Sequence, residues 1–216
     1  QLGSDPLARG LATNIKMTKN SDNGGFNYLE WGTWSMKLQD ENHPDISQLT
    51  IDQEVNNKNG LYPSLWVSGE ITPYDQIPVL VNARYNKNSV VNGALYTNGV
   101  YTTTISGNID AELSFNRVAG FAEFSASLNL VRDDNPSVAF DQLSFFASNL
   151  PTPSGNHSEE GLEIDQVGFS VINSSGVNAV LDGTLFGPNA EEFAGSWHTQ
   201  DSSSGEHAAG IFRVKR

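Results

Sequence analysis

Between Phe121 and Val131 the chain reads FAEFSASLNLV, and Ala122, Phe124, Ala126, Leu128 and Leu130 alternate strictly with Glu123, Ser125, Ser127 and Asn129. Successive side chains of an extended strand point to opposite faces, so a repeat of two collects the apolar groups on one side. Such a segment is stable as an antiparallel strand with one face on a core and the other in water. A helix would scatter the same residues around its circumference.

The same pattern recurs from about Ser89 onward. Ser89 to Tyr96 and Val100 to Ile105 flank Thr97-Asn98-Gly99, a hairpin signal. Ser106-Gly107-Asn108 reads as a turn before a strand at Ile109 to Phe115, and Phe140 to Ala147 continues the series after Phe121 to Val131. A polar loop, Leu150 to Glu160, precedes a pair at Leu162 to Val171 and Val177 to Phe186, and Phe193 to Thr199 with Ala208 to Val214 close the chain. Closely spaced antiparallel strands of this kind predict an all-β, up-and-down β-barrel of about eight strands, which hides its edges by closure.

Helical periodicity is confined to one short turn before the last strands, at Pro188 to Glu192, where proline and acidic residues suit a helix start. Residues 1–75 are less regular and read as an N-terminal β extension, or handle, with strands at Tyr28 to Leu38 and Ser64 to Ile71. No internal repeat or linker divides the chain, so 1–216 is expected to be a single barrel domain carrying that extension.

Composition narrows the function. Twenty Gly and nine Pro fit many turns, while a net charge of −13 opposes nucleic acid and anionic membranes and favours a basic partner. With no Cys, disulfides, zinc–thiolate sites and cysteine nucleophiles are excluded. No apolar run reaches the roughly 20 residues of a membrane-spanning helix. The opening QLGSDPLARG carries no signal-peptide pattern, and it is compatible with a lipid anchor upstream of Gln1.

The segment LDGTLFGPNAEEFAGSW, followed by GIFRVKR, resembles the end of the β-barrel domains of the transferrin-binding protein B family, which includes surface lipoproteins and secreted haem-binding hemophilins. Phe186, Gly187, Pro188, Asn189, Ala190, Glu191, Glu192, Gly195, Gly210, Phe212 and Arg216 carry the likeness. IPVLVNARYNKNSVVNGALY resembles the opening barrel strands, and YLEWGTW an aromatic-glycine strand before them. Where the family favours a small-residue-rich last strand, this chain has GIFRVKR. The resemblance implies a non-enzymatic binding protein, displayed on the bacterial outer membrane or secreted, serving iron or haem acquisition or host-protein binding through its loops. The alternative is a structural or adhesive module of a larger envelope protein with no small ligand. A barrel embedded in the membrane fits less well, because outward apolar bands are few.

The turn itself is explained by backbone requirements. Pro188 lacks an N–H and fixes its φ, Gly187 and Asn189 are turn formers, and Gly195 permits a bend or a close backbone approach. These four are expected to be structural.

Catalytic motifs are missing: there is no Gly-x-Ser-x-Gly elbow, His-Glu-x-x-His or phosphate loop, and Glu191 and Glu192 are neighbours rather than facing carboxylates. Asp133 to Asp141 and Ser21 to Gly25 are oxygen-rich but lack EF-hand spacing, so turns rather than a metal site are expected. Of the four histidines, His43, His157, His198 and His207, the last two flank the final hairpin loop and would be the pair to ligate haem iron if the chain is hemophilin-like. Otherwise no cofactor is expected. In Tyr28 to Leu38, alternation puts Trp31 on the face opposite Tyr28 and Trp34, so one tryptophan faces outward to anchor a partner or is covered by the Asp40 to Asn59 loop.

Overall fold

The computed structural model describes residues 11–20, 24–39, 64–98, 100–116, 118–119, 121–147, 178–201 and 204–216. Among them run eleven strands: β1 (Leu11–Lys19), β2 (Leu29–Gln39), β3 (Ser64–Gly69), β4 (Leu80–Tyr85), β5 (Lys87–Thr97), β6 (Val100–Asn116), β7 (Phe121–Arg132), β8 (Asn135–Ala147), β9 (Asn178–Phe186), β10 (Glu192–Asp201) and β11 (Glu206–Lys215). A single 3-10 turn, Tyr74–Gln76, is the helical piece among these residues.

Two antiparallel sheets result. β1, β2 and β3 form a small sheet in that order, the handle read from the sequence. The larger sheet has the order β8-β7-β6-β5-β11-β10-β9, with β4 beside β6. The last strand therefore returns to pair with β5, as an up-and-down barrel requires. Among the described residues β8 and β9 are its two outer strands, so the sheet is barrel-like. The expected strand at Leu162 to Val171 and the loop at Leu150 to Glu160 lie outside the described residues.

Alternation decides which face is inward. Ala122, Phe124, Ala126, Leu128 and Leu130 are all buried, whereas Glu123, Ser125 and Asn129 are exposed. The interior is filled by large side chains, with Phe115, Phe124, Leu128, Phe193, Trp197 and Phe212 at 2% exposure or less. Phe193 sits at the centre, its ring 4.9 Å from Phe212, 5.6 Å from Phe124 and 5.8 Å from Tyr85, in tilted or edge-on geometries. Each such ring contributes roughly 1.5–3 kcal/mol on burial, so this column supplies much of the core's stability.

The turn expected at Ser106-Gly107-Asn108 is not a turn. Pairing with β7 runs unbroken from Ile105 to Asn116, so β6 is one strand of 17 residues. On its other edge the partner changes, from β5 up to Gly107 to β4 from Ala111 onward. A residue set with strong turn preference was overridden by a continuous ladder on one side. β1 lies outside the strands expected from the sequence, although Ile15 and Met17 alternate with Asn14, Lys16 and Thr18, and its pairing with β2 carries a register shift between Ala12 and Asn14.

Candidate functional site

The Phe186-to-Glu192 segment is a tight turn rather than a helix. Gly187 has φ +85°, Pro188 occupies the second position, where its fixed φ suits a β-turn, and the N–H of Ala190 donates to the carbonyl of Gly187 at 3.2 Å. Ala190 follows at φ +56°, and its carbonyl accepts the Tyr85 hydroxyl at 2.9 Å. Asn189 donates its backbone and side-chain N–H groups to Glu191, each at 2.9 Å. Those bonds hold the Glu191 carboxyl below its ordinary range against the opposing effect of burial.

Glu192 does something the sequence did not reveal. It begins β10 pointing outward, yet it is fully buried, because the small sheet covers it. Its carboxylate accepts the backbone N–H groups of Asn27 at 2.7 Å and Tyr28 at 3.1 Å and faces Lys215 Nζ at 3.4 Å. Lys215 also donates to the carbonyl of Gly25 at 2.7 Å. The chain leaving β3 then joins the barrel directly: Thr72 N–H donates to Leu185 O and Gly187 N–H to Glu70 O, both at 2.9 Å. A second apolar cluster of Phe26, Leu29, Phe186 and Ala194 seals this junction.

Trp31 lies on the same face of β2 as Leu29. The Arg213 guanidinium sits over its ring at 3.8 Å, so this tryptophan is turned toward the barrel and half-buried. Arg213 is 2% exposed and donates to Asn92 Oδ1 at 3.0 Å, while its Nε and Nη1 have no hydrogen-bond partner. Burial pushes its pKa down to about 10. Trp34 pairs through its backbone with Met17 and Ser64, but its side chain lies outside the described residues.

Gly195 faces Gly183 across β9 and β10. A Cβ at Gly195 would lie 1.9 Å from the carbonyl oxygen of Asp182, so no other residue fits. Outside this glycine pair opens a cleft of about 480 Å³. Leu65 to Gly69 of β3 form one wall, and Asp182 to Thr184 with Ala194 to Ser196 form the other. Ile71, Phe186 and Ile211 close it.

His198 and His207 both face outward from the final hairpin. His198 pairs with Ala209 and Val180, and His207 with Gln200 and Tyr96, so the two imidazoles occupy diagonal positions on one face. His207 stacks on Tyr96, with centroids 5.0 Å apart and planes 5° apart, and Tyr96 meets Tyr101 edge-on at 6.1 Å. His43 and His157 lie outside the described residues. In the acidic turn, Asp133 accepts Ser106 Oγ at 2.6 Å and the Thr104 hydroxyl, and Asp134 pairs with Arg132 at 2.9 Å. Among the described residues, no three His, Cys, Asp or Glu side chains converge on one point.

The described residues thus form a barrel-like sheet with an N-terminal β extension clamped to its outer wall. No protein-family model matches the sequence, and no curated protein matches it. Among solved structures the chain is similar to the isotype 1 transferrin-binding protein B of serogroup B Neisseria meningitidis. Identity is 17%, the match covers 93% of this chain and 34% of that one, and the TM-score is 0.46. It is also similar to two substituted forms of transferrin-binding protein B from Haemophilus parasuis Hp5. These are 11% and 12% identical, with TM-scores of 0.39 and 0.40, over 92% and 93% of this chain and 36% and 37% of theirs. The chain thus spans about a third of the length of these proteins.

Proposed function

We propose that the chain is a non-enzymatic binding protein of the bacterial cell surface or its surroundings, which engages a host protein or an iron or haem carrier from outside its barrel. The observation that carries this reading is the filled interior: the column around Phe193 leaves the barrel as a scaffold, and polar and aromatic chemistry lies on the outer face and in the turns. The clamp at Glu192 and Arg213 adds a second rigid surface beside the first. A net charge of −13 favours a partner with a basic patch, by steering its approach.

Transferrin is the protein named for the similar structures, and it is the first partner to test. Biolayer interferometry with the immobilised chain should give saturable binding of iron-loaded transferrin, and a parallel hemin titration reads haem binding from the Soret band, with His198→Ala/His207→Ala as the control. Saturable binding in neither experiment would overturn this reading and leave the structural or adhesive module.

A further inference from the structure

We infer that the cleft between β3 and the outer wall of β9, β10 and β11 seats an extended, positively charged segment of a partner protein. This deepens, and rests on, the reading of the chain as a binding protein. Five consecutive residues of β3, Leu65 to Gly69, line the cleft. Alternate residues of a strand point to opposite faces, so a run that lines a cavity without a break presents the strand's edge. Among the described residues β3 pairs only with β2, which leaves its other edge facing the cleft with backbone groups to offer. Adding a strand to such an edge is a general mode of peptide recognition.

The opposite wall is shaped for close approach. Ala194, Gly195 and Ser196 carry little or no side chain, so a strand can lie near the sheet. Apolar side chains of the guest would meet Trp66 and Ile71. The indole of Trp66 is held in place by its donation to the carbonyl of Thr33 at 3.2 Å. The polar requirement is set by Asp182, the one charged residue among the described residues that line the cleft, with Thr184 next to it. A carboxylate on the cleft wall suits a lysine or arginine head group. Arg213 does not oppose this, because its guanidinium leans to Asn92 on β5, on the far side of Ile211 from β9.

The probe is a fluorescein-labelled peptide of alternating lysine and valine, six residues long like β3, compared with its glutamate–valine counterpart by anisotropy. At about 150 mM salt, where long-range charge effects are screened, the lysine peptide should bind and the glutamate peptide should not. Asp182→Asn should weaken binding about tenfold, a loss of one charge-assisted contact. Ser196→Trp, a substitution at an exposed position that fills the cleft, should abolish it while leaving the melting temperature unchanged. Lysine-peptide binding that persists in both variants would mean attraction to the acidic surface at large, and would overturn the proposal. So would equal binding of the two peptides, or binding of neither. A chain that captures transferrin yet ignores the peptide loses the cleft proposal alone.

Discussion

The Glu192 carboxylate and the backbone N–H of Asn27 meet at 2.7 Å, although 165 residues separate them. This bond ties the small sheet to the barrel, and Tyr28 N–H and Lys215 share the same carboxylate. Glu192→Ala would leave two part-buried amides without their acceptor and take from Lys215 its charged partner, leaving it the carbonyl of Gly25. Loss of one partner from a buried charged network costs about 3 kcal/mol. Urea unfolding should show that loss, and hydrogen exchange should show Asn27 and Tyr28 amides losing protection before the barrel does. Uniform loss of protection throughout the molecule would place the role of Glu192 in the barrel instead.

Arg213 stands between the two sheets without an acidic partner on its Nε and Nη1. Its stem packs the junction, whereas its charge is desolvated. Arg213→Met keeps the packing and removes the charge, so its stability should equal or exceed that of the parent. Arg213→Ala removes the stem as well and should be destabilised by roughly 2 kcal/mol, as should Trp31→Ala, which takes away the ring beneath it. Thermal melts of the three variants check the order. A Met variant weaker than the Ala variant would show that the guanidinium itself holds the sheets together.

The turn beside Glu192 predicts a contrast between two adjacent positions. Gly187 adopts φ +85°, and a Cβ there would lie 2.5 Å from both the Tyr28 ring and Glu191 Oε2. Gly187→Ala therefore meets backbone strain and a clash, and about 2 kcal/mol of stability should be lost. Pro188 is exposed, so Pro188→Ala releases only unfolded-state entropy and should cost less than about 1 kcal/mol. Chemical denaturation of both variants tests the pair, and equal losses would contradict it.

What the sequence showed and hid follows from the range of each interaction. Period-two alternation is local, and it marked β7, β9, β10 and β11 to within a few residues. Gly187 and Gly195 announced a turn and a close approach because those are backbone constraints. The outward half of β11 was different. There the chain places Arg213 and Lys215, which meet Trp31, Gly25 and Glu192 at the junction with the small sheet. Alternation assigned Trp31 to a face, but whether partner, loop or barrel covered that face depended on contacts some 180 positions away. The cleft likewise arises from β3 lying against β9 and β10, an approach that no local spacing encodes.

Tyr85 offers a test of the core's attachment to the same turn. It is 1% exposed, its ring packs on Phe193, and its hydroxyl donates to the carbonyl of Ala190 at 2.9 Å. Tyr85→Phe retains the ring and leaves that carbonyl unpaired in a buried site, so about 1 kcal/mol of stability should be lost at pH 7. Burial raises the phenol well above its ordinary pKa, which fixes the sign of the pH dependence. In the unfolded chain a tyrosine ionises near pH 10, whereas the folded protein keeps Tyr85 neutral. The unfolded state therefore binds fewer protons above that pH, and the parent loses stability as pH rises beyond about 10. Phenylalanine has no such term. Urea melts of the two proteins should differ most near neutrality and converge as the pH passes 10. A gap that stays constant to pH 11 would mean that Tyr85 ionises as freely folded as unfolded, whereas equal stability of the two proteins at pH 7 would mean that the bond to Ala190 contributes nothing to the fold.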